Sequence, residues 1–290
     1  MKYLLLSLRP KQWVKNLFIF LPLIFGQKLF SFPSNVESII AFFLFSLTAG
    51  VVYLINDIID IEKDRLHPTK KLRPIASGKV SISQANAAAC ILGLLSFLCS
   101  YLLNNTFGLV VVSYFAFNLL YTKVLKDHVI IDVFCIGGFF LLRIVAGSVI
   151  SGVEMSHWII FMTVLLALFL GFNKRRQELQ ALGDKAVSHR SVLSKYSPYF
   201  IDQMIAVITS SIVVVYILYT VDARTVSVFG TKHLIYTIPF VYYGIFRYLY
   251  LILKHNVEGD PTQILLSDGK MKLNLLLWVM VCISVIYLGI

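Results

Sequence analysis

The sequence predicts an all-α membrane protein, a bundle of nine transmembrane helices with a cytoplasmic amino terminus. Three observations predict this fold class. Hydrophobic residues make up 58% of the 290 residues and charged residues only 14%, whereas charged residues reach about 25% in soluble domains. Apolar stretches of about 20 residues, long enough to cross a bilayer as helices, recur along the chain. Lysine and arginine are also divided unequally between the connections of these stretches.

The predicted spans follow one another with short connections, so we expect residues 1–290 to form a single polytopic membrane domain. Basic residues precede the first span, but more spans follow and no small-residue cleavage site is evident. We therefore expect an uncleaved first helix and not a signal peptide. The nine predicted spans cover residues 14–31, 38–58, 83–103, 107–125, 129–150, 156–173, 200–220, 234–253 and 273–290.

The positive charge supports the predicted orientation. With the amino terminus in the cytoplasm, 21 of the 26 lysine and arginine residues fall on the cytoplasmic side and three in the opposite loops. Cytoplasmic loops of membrane proteins carry such an excess. Topology therefore explains the net charge of +11, and we expect no nucleic-acid binding. The four cysteines are scattered over apolar spans without metal-ligand spacing, so we interpret them as buried apolar side chains.

Acidic and amide side chains cluster where the second predicted span ends. Asn56, Asp60 and Asp64 are spaced four residues apart and would share one face of a helix, with Asp57 on its flank. Such carboxylates repel each other unless a cation lies among them, and acidic residues at the membrane are usually functional. Mg²⁺ binds one or two carboxylates together with substrate phosphate oxygens. We therefore predict a Mg²⁺ site at Asn56, Asp60 and Asp64, with Asp57, Asp60 and Asp64 as catalytic candidates.

A basic stretch follows this acidic face within a predicted active-site loop at about 59–82. A metal on one side and cations on the other would neutralise a diphosphate leaving group. The alternative interpretation is a solvated helix end of mixed charge. The candidate diphosphate ligands of this loop are Arg65, Lys70, Lys71 and Arg73.

A second charged loop, at about 174–198, follows the sixth predicted span. Its guanidinium groups favour bidentate contacts with a second anionic group. The alternative is a membrane-flanking cluster that follows the positive-inside bias, and the sequence leaves both interpretations open. Asp184 adds an acidic residue further along. The candidate phosphate ligands here are Lys174, Arg175 and Arg176, with Glu178 as a further candidate.

Four other charged residues are candidates for function. Lys11 and Lys15 open the first span, where they either bind a phosphate or only flank the membrane. Arg143 lies inside a predicted span, where a charge is costly. Asp132 precedes it by eleven residues on the same helical face. We expect Asp132 and Arg143 to line a polar cavity and not to face lipid.

Several of these motifs resemble a known family. The pattern Asn-Asp-x-x-Asp-x-x-x-Asp of residues 56–64 resembles the first aspartate-rich motif of the UbiA superfamily of intramembrane prenyltransferases, a bundle of nine transmembrane helices. The resemblance covers essentially the whole chain. Five stretches are similar to one branch, the decaprenyl-phosphate phosphoribosyltransferases: RPKQWVKN (9–16), DRLHPTKKLRPIASG (64–78), DHVIIDV (127–133), LLRIVAG (141–147) and NKRRQEL (173–179).

The resemblance implies the transfer of 5-phosphoribose from phosphoribosyl pyrophosphate (PRPP) to a polyprenyl phosphate such as decaprenyl phosphate, with Mg²⁺ as cofactor. It implies a bacterial inner (plasma) membrane location with the active site facing the cytoplasm. Other prenyltransferases of the superfamily carry a second aspartate-rich motif after the sixth helix, where this chain has the basic run 174–176. That run would bind the 5-phosphate of PRPP, and Lys11 and Lys15 the phosphate of the acceptor. The oligomeric state stays open, and a homo-oligomer is one alternative.

Two other functions remain as alternatives. An aromatic prenyltransferase of the quinone or haem pathway would use a polyprenyl diphosphate, and the missing second aspartate cluster argues against it. A membrane transporter would have polar or broken helices near the bilayer midplane. Apart from Arg143, the predicted spans are strongly apolar at their centres, which argues against a transporter.

Overall fold

The computed structural model describes residues 2–67, 69–182, 191–255 and 267–289. The candidate Asp184 lies outside the described residues, as does the rest of 183–190 in the second charged loop. Over the described ranges the regular secondary structure is entirely helical, without a β-strand. This confirms the predicted all-α fold class.

Twelve α-helices occur in the described ranges, and shorter helical turns join several of them. The α-helices are α1 (Lys2–Ser7), α2 (Phe20–Phe25), α3 (Ser34–Ile59), α4 (Ile61–Leu66), α5 (Ile82–Leu103), α6 (Asn105–Lys123), α7 (Ile131–Ser151), α8 (His157–Leu182), α9 (Pro198–Val221), α10 (Ala223–Phe229), α11 (Ile238–His255) and α12 (Gly269–Ile283). The 3-10 helices are Pro10–Ile19, Lys70–Leu72, Leu125–Asp127, Ser191–Lys195 and His233–Thr237, and a π-helical turn covers Ser284–Leu288.

Eight helical segments of the described ranges are long and apolar enough to cross a membrane. They are Ser34–Ile59, Ile82–Leu103, Asn105–Lys123, Ile131–Ser151, His157–Gln180, Pro198–Val221, His233–Leu253 and Gly269–Leu288. These segments correspond to the second to ninth predicted spans. The count of nine and the side on which the amino terminus lies are not confirmed by these segments and stay predictions.

The first predicted span, over 14–31, is not one continuous helix. The chain forms the 3-10 helix Pro10–Ile19 and then the short helix α2, which ends before Gly26. Pro22 lies inside α2, and a proline removes a backbone hydrogen bond and favours an interrupted helix. The apolar run is present as predicted, but its backbone changes from 3-10 to α-helical conformation at Phe20.

The chain divides into two compact units, which are described separately. The first comprises residues 1–126 and 139–155, and the second residues 127–138 and 156–290. In the first unit, α3 packs against α5 and α6. Its buried apolar residues include Phe45, Val52 and Phe107. The expectation of a single polytopic domain stays a prediction.

The second unit is built around α8 and α9, which pack against each other. Ile201, Ile205, Ile208 and Ile212 of α9 recur every three or four residues. This spacing places them on one face of the helix. They belong to the buried apolar cluster of this unit, together with Phe169 of α8.

One close approach in the first unit depends on a glycine. A Cβ on Gly147 of α7 would overlap the carbonyl oxygen of Ile19, at the end of the 3-10 helix Pro10–Ile19. Only a residue without a side chain allows the two backbones to come so close. Gly147 therefore allows the interrupted amino-terminal segment to pack directly against α7.

Candidate active site

The acidic residues lie at the junction of α3 and α4. Asn56 and Asp57 are in the last turn of α3, Asp60 leaves the helical conformation with φ −93° and ψ 11°, and Asp64 is in α4. The predicted uninterrupted helical face is therefore divided at Asp60. Like charges four residues apart destabilise a continuous helix, which favours a break at this point. The junction keeps its backbone hydrogen bonds, because the Asp64 amide donates to the Asp60 carbonyl at 2.8 Å.

Two of the carboxylates are buried and paired with arginines. Asp57 and Asp64 are only 2% and 3% exposed. Arg73 Nη1 lies 3.1 Å from Asp57 Oδ1 and 2.5 Å from Asp64 Oδ2. Arg9 Nη2 donates a further hydrogen bond to Asp57 Oδ1. Buried charges are tolerated when they are paired in this way, so the four side chains form one neutralised ionic cluster.

Asn56 and Asp60 contact the end of α6 and the residues after it. Thr122 Oγ1 donates to Asn56 Oδ1 at 2.9 Å. Lys126 Nζ lies 3.9 Å from Asp60 Oδ1, which is beyond hydrogen-bond distance. The Asp60 side chain is 31% exposed. Asp60 is therefore the most accessible carboxylate of the three predicted catalytic residues.

The donor chemistry of this junction fits Mg²⁺. Within the described part of the chain, no three histidine, cysteine, aspartate or glutamate side chains are arranged to hold a metal by themselves. Mg²⁺ does not require such a cage, because it takes one or two carboxylates and completes its octahedron with water and substrate phosphate oxygens. Asn56, Asp60 and Asp64 provide hard oxygen ligands of this kind, and Asp60 is accessible.

The cations of the first loop differ in their surroundings. Arg65 Nη1 lies 2.9 Å from the exposed Glu62, and its Nε donates to the Ala76 carbonyl at 3.4 Å. Lys70 is half-buried, and Lys71 is exposed. Of the four predicted diphosphate ligands, Arg73 contacts both Asp57 and Asp64 directly.

Arg9 was not among the residues selected from the sequence. It adopts a left-handed conformation with φ 51°, and its guanidinium lies 4.7 Å from the centre of the Tyr53 ring. Lys11, by contrast, is exposed, and Lys15 is half-buried. Arg9 belongs to the RPKQWVKN motif, but the carboxylate that it contacts, Asp57, lies 48 residues later in the sequence. Its position before a proline was the only local signal.

The second unit holds a buried ionic network of its own. Arg175 is 1% exposed, its Nε lies 2.9 Å from Asp132 Oδ2, and its Nη1 donates to Glu178. Tyr196 Oη donates to Asp132 Oδ1 at 2.7 Å and accepts from the Ile130 amide at 2.6 Å. Burial, and then the hydrogen bond to Asp132, raise the pKa of the Tyr196 hydroxyl far above its usual range. Tyr196 is therefore a neutral donor at physiological pH.

The other residues of the basic run are also engaged. Arg176 Nε lies 2.5 Å from Asp202 Oδ1, and Lys174 is half-buried. Asn173 is buried, and its Oδ1 has no hydrogen-bond partner among the described residues. Because Arg175 and Arg176 each pair with a carboxylate, this run is partly neutralised and is not a uniform cationic surface.

Arg143 and Asp132 have separate sets of partners. Arg143 is 4% exposed and belongs to the first unit. Its Nε donates to Asn16 Oδ1 at 2.7 Å and its Nη2 to Tyr114 Oη at 3.0 Å. Asp132 contacts Arg175 in the second unit. Both side chains are buried, and the predicted polar cavity that they would line stays a prediction.

Comparison with known proteins places these residues in a family context. The UbiA prenyltransferase family matches residues 19–286. A decaprenyl-phosphate phosphoribosyltransferase of Corynebacterium glutamicum is 32% identical over 97% of this chain and 86% of the relative. The enzyme of the same name from Mycobacterium tuberculosis is 30% identical over 94% of this chain and 90% of the relative. The solved structure of a UbiA homolog from Archaeoglobus fulgidus bound to DMAPP and Mg²⁺ is 20% identical, with a TM-score of 0.72 over 99% of both chains.

Proposed function

The chain belongs to the UbiA prenyltransferase family, and from this premise we propose that it transfers 5-phosphoribose from PRPP to a polyprenyl phosphate. The two relatives above are both named decaprenyl-phosphate phosphoribosyltransferase, and they match over at least 94% of the chain. As a transferase of this family the chain is a multi-pass membrane protein, so the transporter alternative is not supported. We further propose the bacterial inner membrane as its location, with the active site facing the cytoplasm.

The observation that carries the proposal is the ionic cluster at the junction of α3 and α4. Asn56, Asp60 and Asp64 would hold Mg²⁺, which would neutralise charge on the diphosphate of PRPP. Arg9 and Arg73 pair with carboxylates of the cluster. A guanidinium binds phosphate oxygens as well as carboxylates, so these two arginines could move from the carboxylates to the diphosphate when the donor binds.

The reaction needs little covalent chemistry from the protein. An oxygen of the lipid phosphate attacks C1 of the ribose, the bond between C1 and the diphosphate oxygen breaks, and pyrophosphate leaves with the electron pair. Direct attack inverts the configuration at C1. The acceptor phosphate is already an anion at neutral pH, so no general base is needed. Catalysis then depends on positioning and on electrostatic stabilisation of the leaving group.

The assignment of the remaining phosphates follows from the predicted cations. Lys174, Arg175 and Arg176 would bind the 5-phosphate, and Lys11 and Lys15 the acceptor phosphate. Arg175 is already paired with Asp132 and Glu178. For Arg175 we therefore favour a role in holding this part of α8, while Lys174 and Arg176 stay the proposed ligands of the 5-phosphate.

The test is a turnover assay with purified protein, PRPP, Mg²⁺ and a short polyprenyl phosphate. We expect pyrophosphate release that requires the lipid and the metal. Release of pyrophosphate from a polyprenyl diphosphate with an aromatic acceptor, and none from PRPP, would favour the aromatic prenyltransferase alternative.

An Asp60→Asn variant tests the metal ligand in the same assay. We expect loss of Mg²⁺-dependent turnover with little change in the melting temperature, because the Asp60 side chain is 31% exposed and its contact with Lys126 is 3.9 Å long. The matched control is Glu62→Gln, two residues away, whose side chain is 79% exposed and pairs with the exposed Arg65. This variant should keep Mg²⁺-dependent turnover, because Glu62 lies outside the proposed metal ligands. Equal activity of Asp60→Asn and the wild type would contradict a metal role for Asp60.

A further inference from the structure

Arg143 is a buried cation near the middle of the membrane-spanning helix α7 (Ile131–Ser151). A charged side chain at this depth is costly. In the described part of the chain, its hydrogen bonds reach only neutral acceptors: the side chains of Asn16 and Tyr114 and the Phe139 carbonyl at 2.6 Å. Its guanidinium also lies within 5.5 Å of the ring centres of Phe45, Tyr114 and Phe140. Hydrogen bonds and cation–π contacts together hold the charge in one orientation.

The acceptor Asn16 belongs to the 3-10 helix Pro10–Ile19. It is 1% exposed, and its Nδ2 donates to Ser46 Oγ of α3 at 2.8 Å. Asn16 thus connects Arg143 of α7 to α3. A 3-10 helix of ten residues is unusually long. Such helices are usually short, because their hydrogen-bond geometry is poorer than that of an α-helix. This segment therefore depends on contacts with its neighbours to keep its position.

A second contact of α7 holds the same segment. Gly147 follows Arg143 by one helical turn and allows the backbone of Ile19 to approach closely. Arg143 and Gly147 consequently share the face of α7 that packs against Pro10–Ile19. The hydrogen bond to Asn16 fixes the segment near its middle, and the backbone contact fixes its end.

The amino-terminal end of the segment adjoins Arg9, which belongs to the ionic cluster with Asp57. Arg9 immediately precedes Pro10 and pairs with Asp57. Its φ of 51° lies in the left-handed region that non-glycine residues rarely occupy, so the surrounding structure must maintain it. The position of the segment therefore decides whether the Arg9 guanidinium reaches Asp57.

We propose that Arg143 is a positioning residue of the active site: it holds the segment Pro10–Ile19 against α3 and α7 and thereby places Arg9 on Asp57. The inference rests on the proposed function in one respect, since its effect is measured in the transfer reaction. Its basis is the chain of contacts from Arg143 through Asn16 and the segment to Arg9, all of which lie in the first unit.

A double-mutant cycle tests this coupling. Arg143→Met and Arg9→Met should each lower kcat/KM for PRPP by about tenfold or more, because small displacements of catalytic groups have effects up to about 100-fold. If Arg143 acts through Arg9, the double variant should be no slower than the slower single variant. Arg143→Lys, which keeps the charge and a donor, should recover part of the activity.

The matched control is Lys28→Met. Lys28 Nζ donates to the carbonyls of Ser151 and Gly152 at 2.9 and 3.1 Å, so it also anchors the amino-terminal region near α7 but does not act on Arg9. Any loss in Lys28→Met should multiply with the loss in Arg9→Met. Melting temperatures of all variants separate lost stability from lost positioning.

Two results would overturn the inference: losses in Arg143→Met and Arg9→Met that multiply, or a wild-type kcat/KM in folded Arg143→Met. If Arg143→Met does not fold, Asn16→Ala replaces it, because this variant removes one of the three hydrogen-bond acceptors of Arg143. Its loss in kcat/KM must then be non-additive with the loss in Arg9→Met. A wild-type protein that does not turn over PRPP contradicts the proposed function instead. The cycle is then measured with the donor that is turned over.

Discussion

Asp57 and Asp60 are three residues apart but have different surroundings. Asp57 is 2% exposed and accepts from Arg9 and Arg73. The Asp60 side chain is 31% exposed, and its Oδ1 lies 3.9 Å from Lys126 Nζ. Asp57 is therefore suited to hold arginines at the site, and Asp60 is the more accessible of the two as a proposed Mg²⁺ ligand.

A buried carboxylate and an exposed carboxylate should therefore differ in how much their neutralisation lowers the free energy of unfolding. Asp57→Asn should lower the free energy of unfolding by roughly 2 kcal/mol, because it removes the buried carboxylate that pairs with the partly exposed Arg9 and Arg73. Glu62→Gln removes an exposed pair with Arg65 and should change stability by less than about 1 kcal/mol. Detergent-solubilised protein unfolded by denaturant provides the comparison. Equal losses in the two variants would argue against a structural role for the cluster.

The sequence identifies the carboxylates but does not separate their roles. The spacing of Asn56, Asp60 and Asp64 is sufficient to predict a metal site, because oxygen ligands at a membrane surface are unusual. Burial of Asp57 depends on Arg9, whose contact is 48 residues distant in sequence. Pairing at this distance leaves no periodic signal in the sequence, so Arg9 could be found only from the fold.

At the scale of elements, the contact of α7 with the 3-10 helix Pro10–Ile19 makes a sharp prediction. Gly147→Ala should lower both stability and kcat/KM, because the added methyl group overlaps the Ile19 carbonyl and displaces the segment. The control is Gly137→Ala on the same helix, where the nearest atom, Val164 Cγ1, lies at 3.9 Å. That variant should be neutral or slightly stabilising, since alanine favours helix over glycine. Similar behaviour of the two variants would contradict the close approach at Gly147.

The predicted helix bounds agree best with the structure where an uninterrupted apolar run determines the helix. The predicted span 83–103 corresponds to Ile82–Leu103, and a capping box of Ser81 and Gln84 precedes its first turn. The first predicted span failed as a continuous helix because hydropathy measures the length of an apolar run and not its backbone conformation. Pro22 is a local signal against a continuous helix, but the 3-10 conformation of Pro10–Ile19 depends on packing against α3 and α7.

At the scale of the whole molecule, each unit contains a buried ionic network of its own. The first unit pairs Asp57 and Asp64 with arginines, and the second pairs Arg175 with Asp132 and Glu178. The sequence predicted an acidic loop and a basic loop from local composition. It did not predict that the basic loop is partly neutralised, because Asp132 lies on a different helix, 43 positions before Arg175.

The mass of the lipid product is the most direct measurement of the proposed donor. Purified protein would be supplied with PRPP, Mg²⁺, a short polyprenyl phosphate, a polyprenyl diphosphate and an aromatic acceptor in one reaction. We predict that the polyprenyl phosphate gains one phosphoribosyl group, that this product is absent in Asp60→Asn, and that the aromatic acceptor is unchanged. A prenylated aromatic product, with the polyprenyl phosphate unchanged, would contradict a phosphoribosyl transfer.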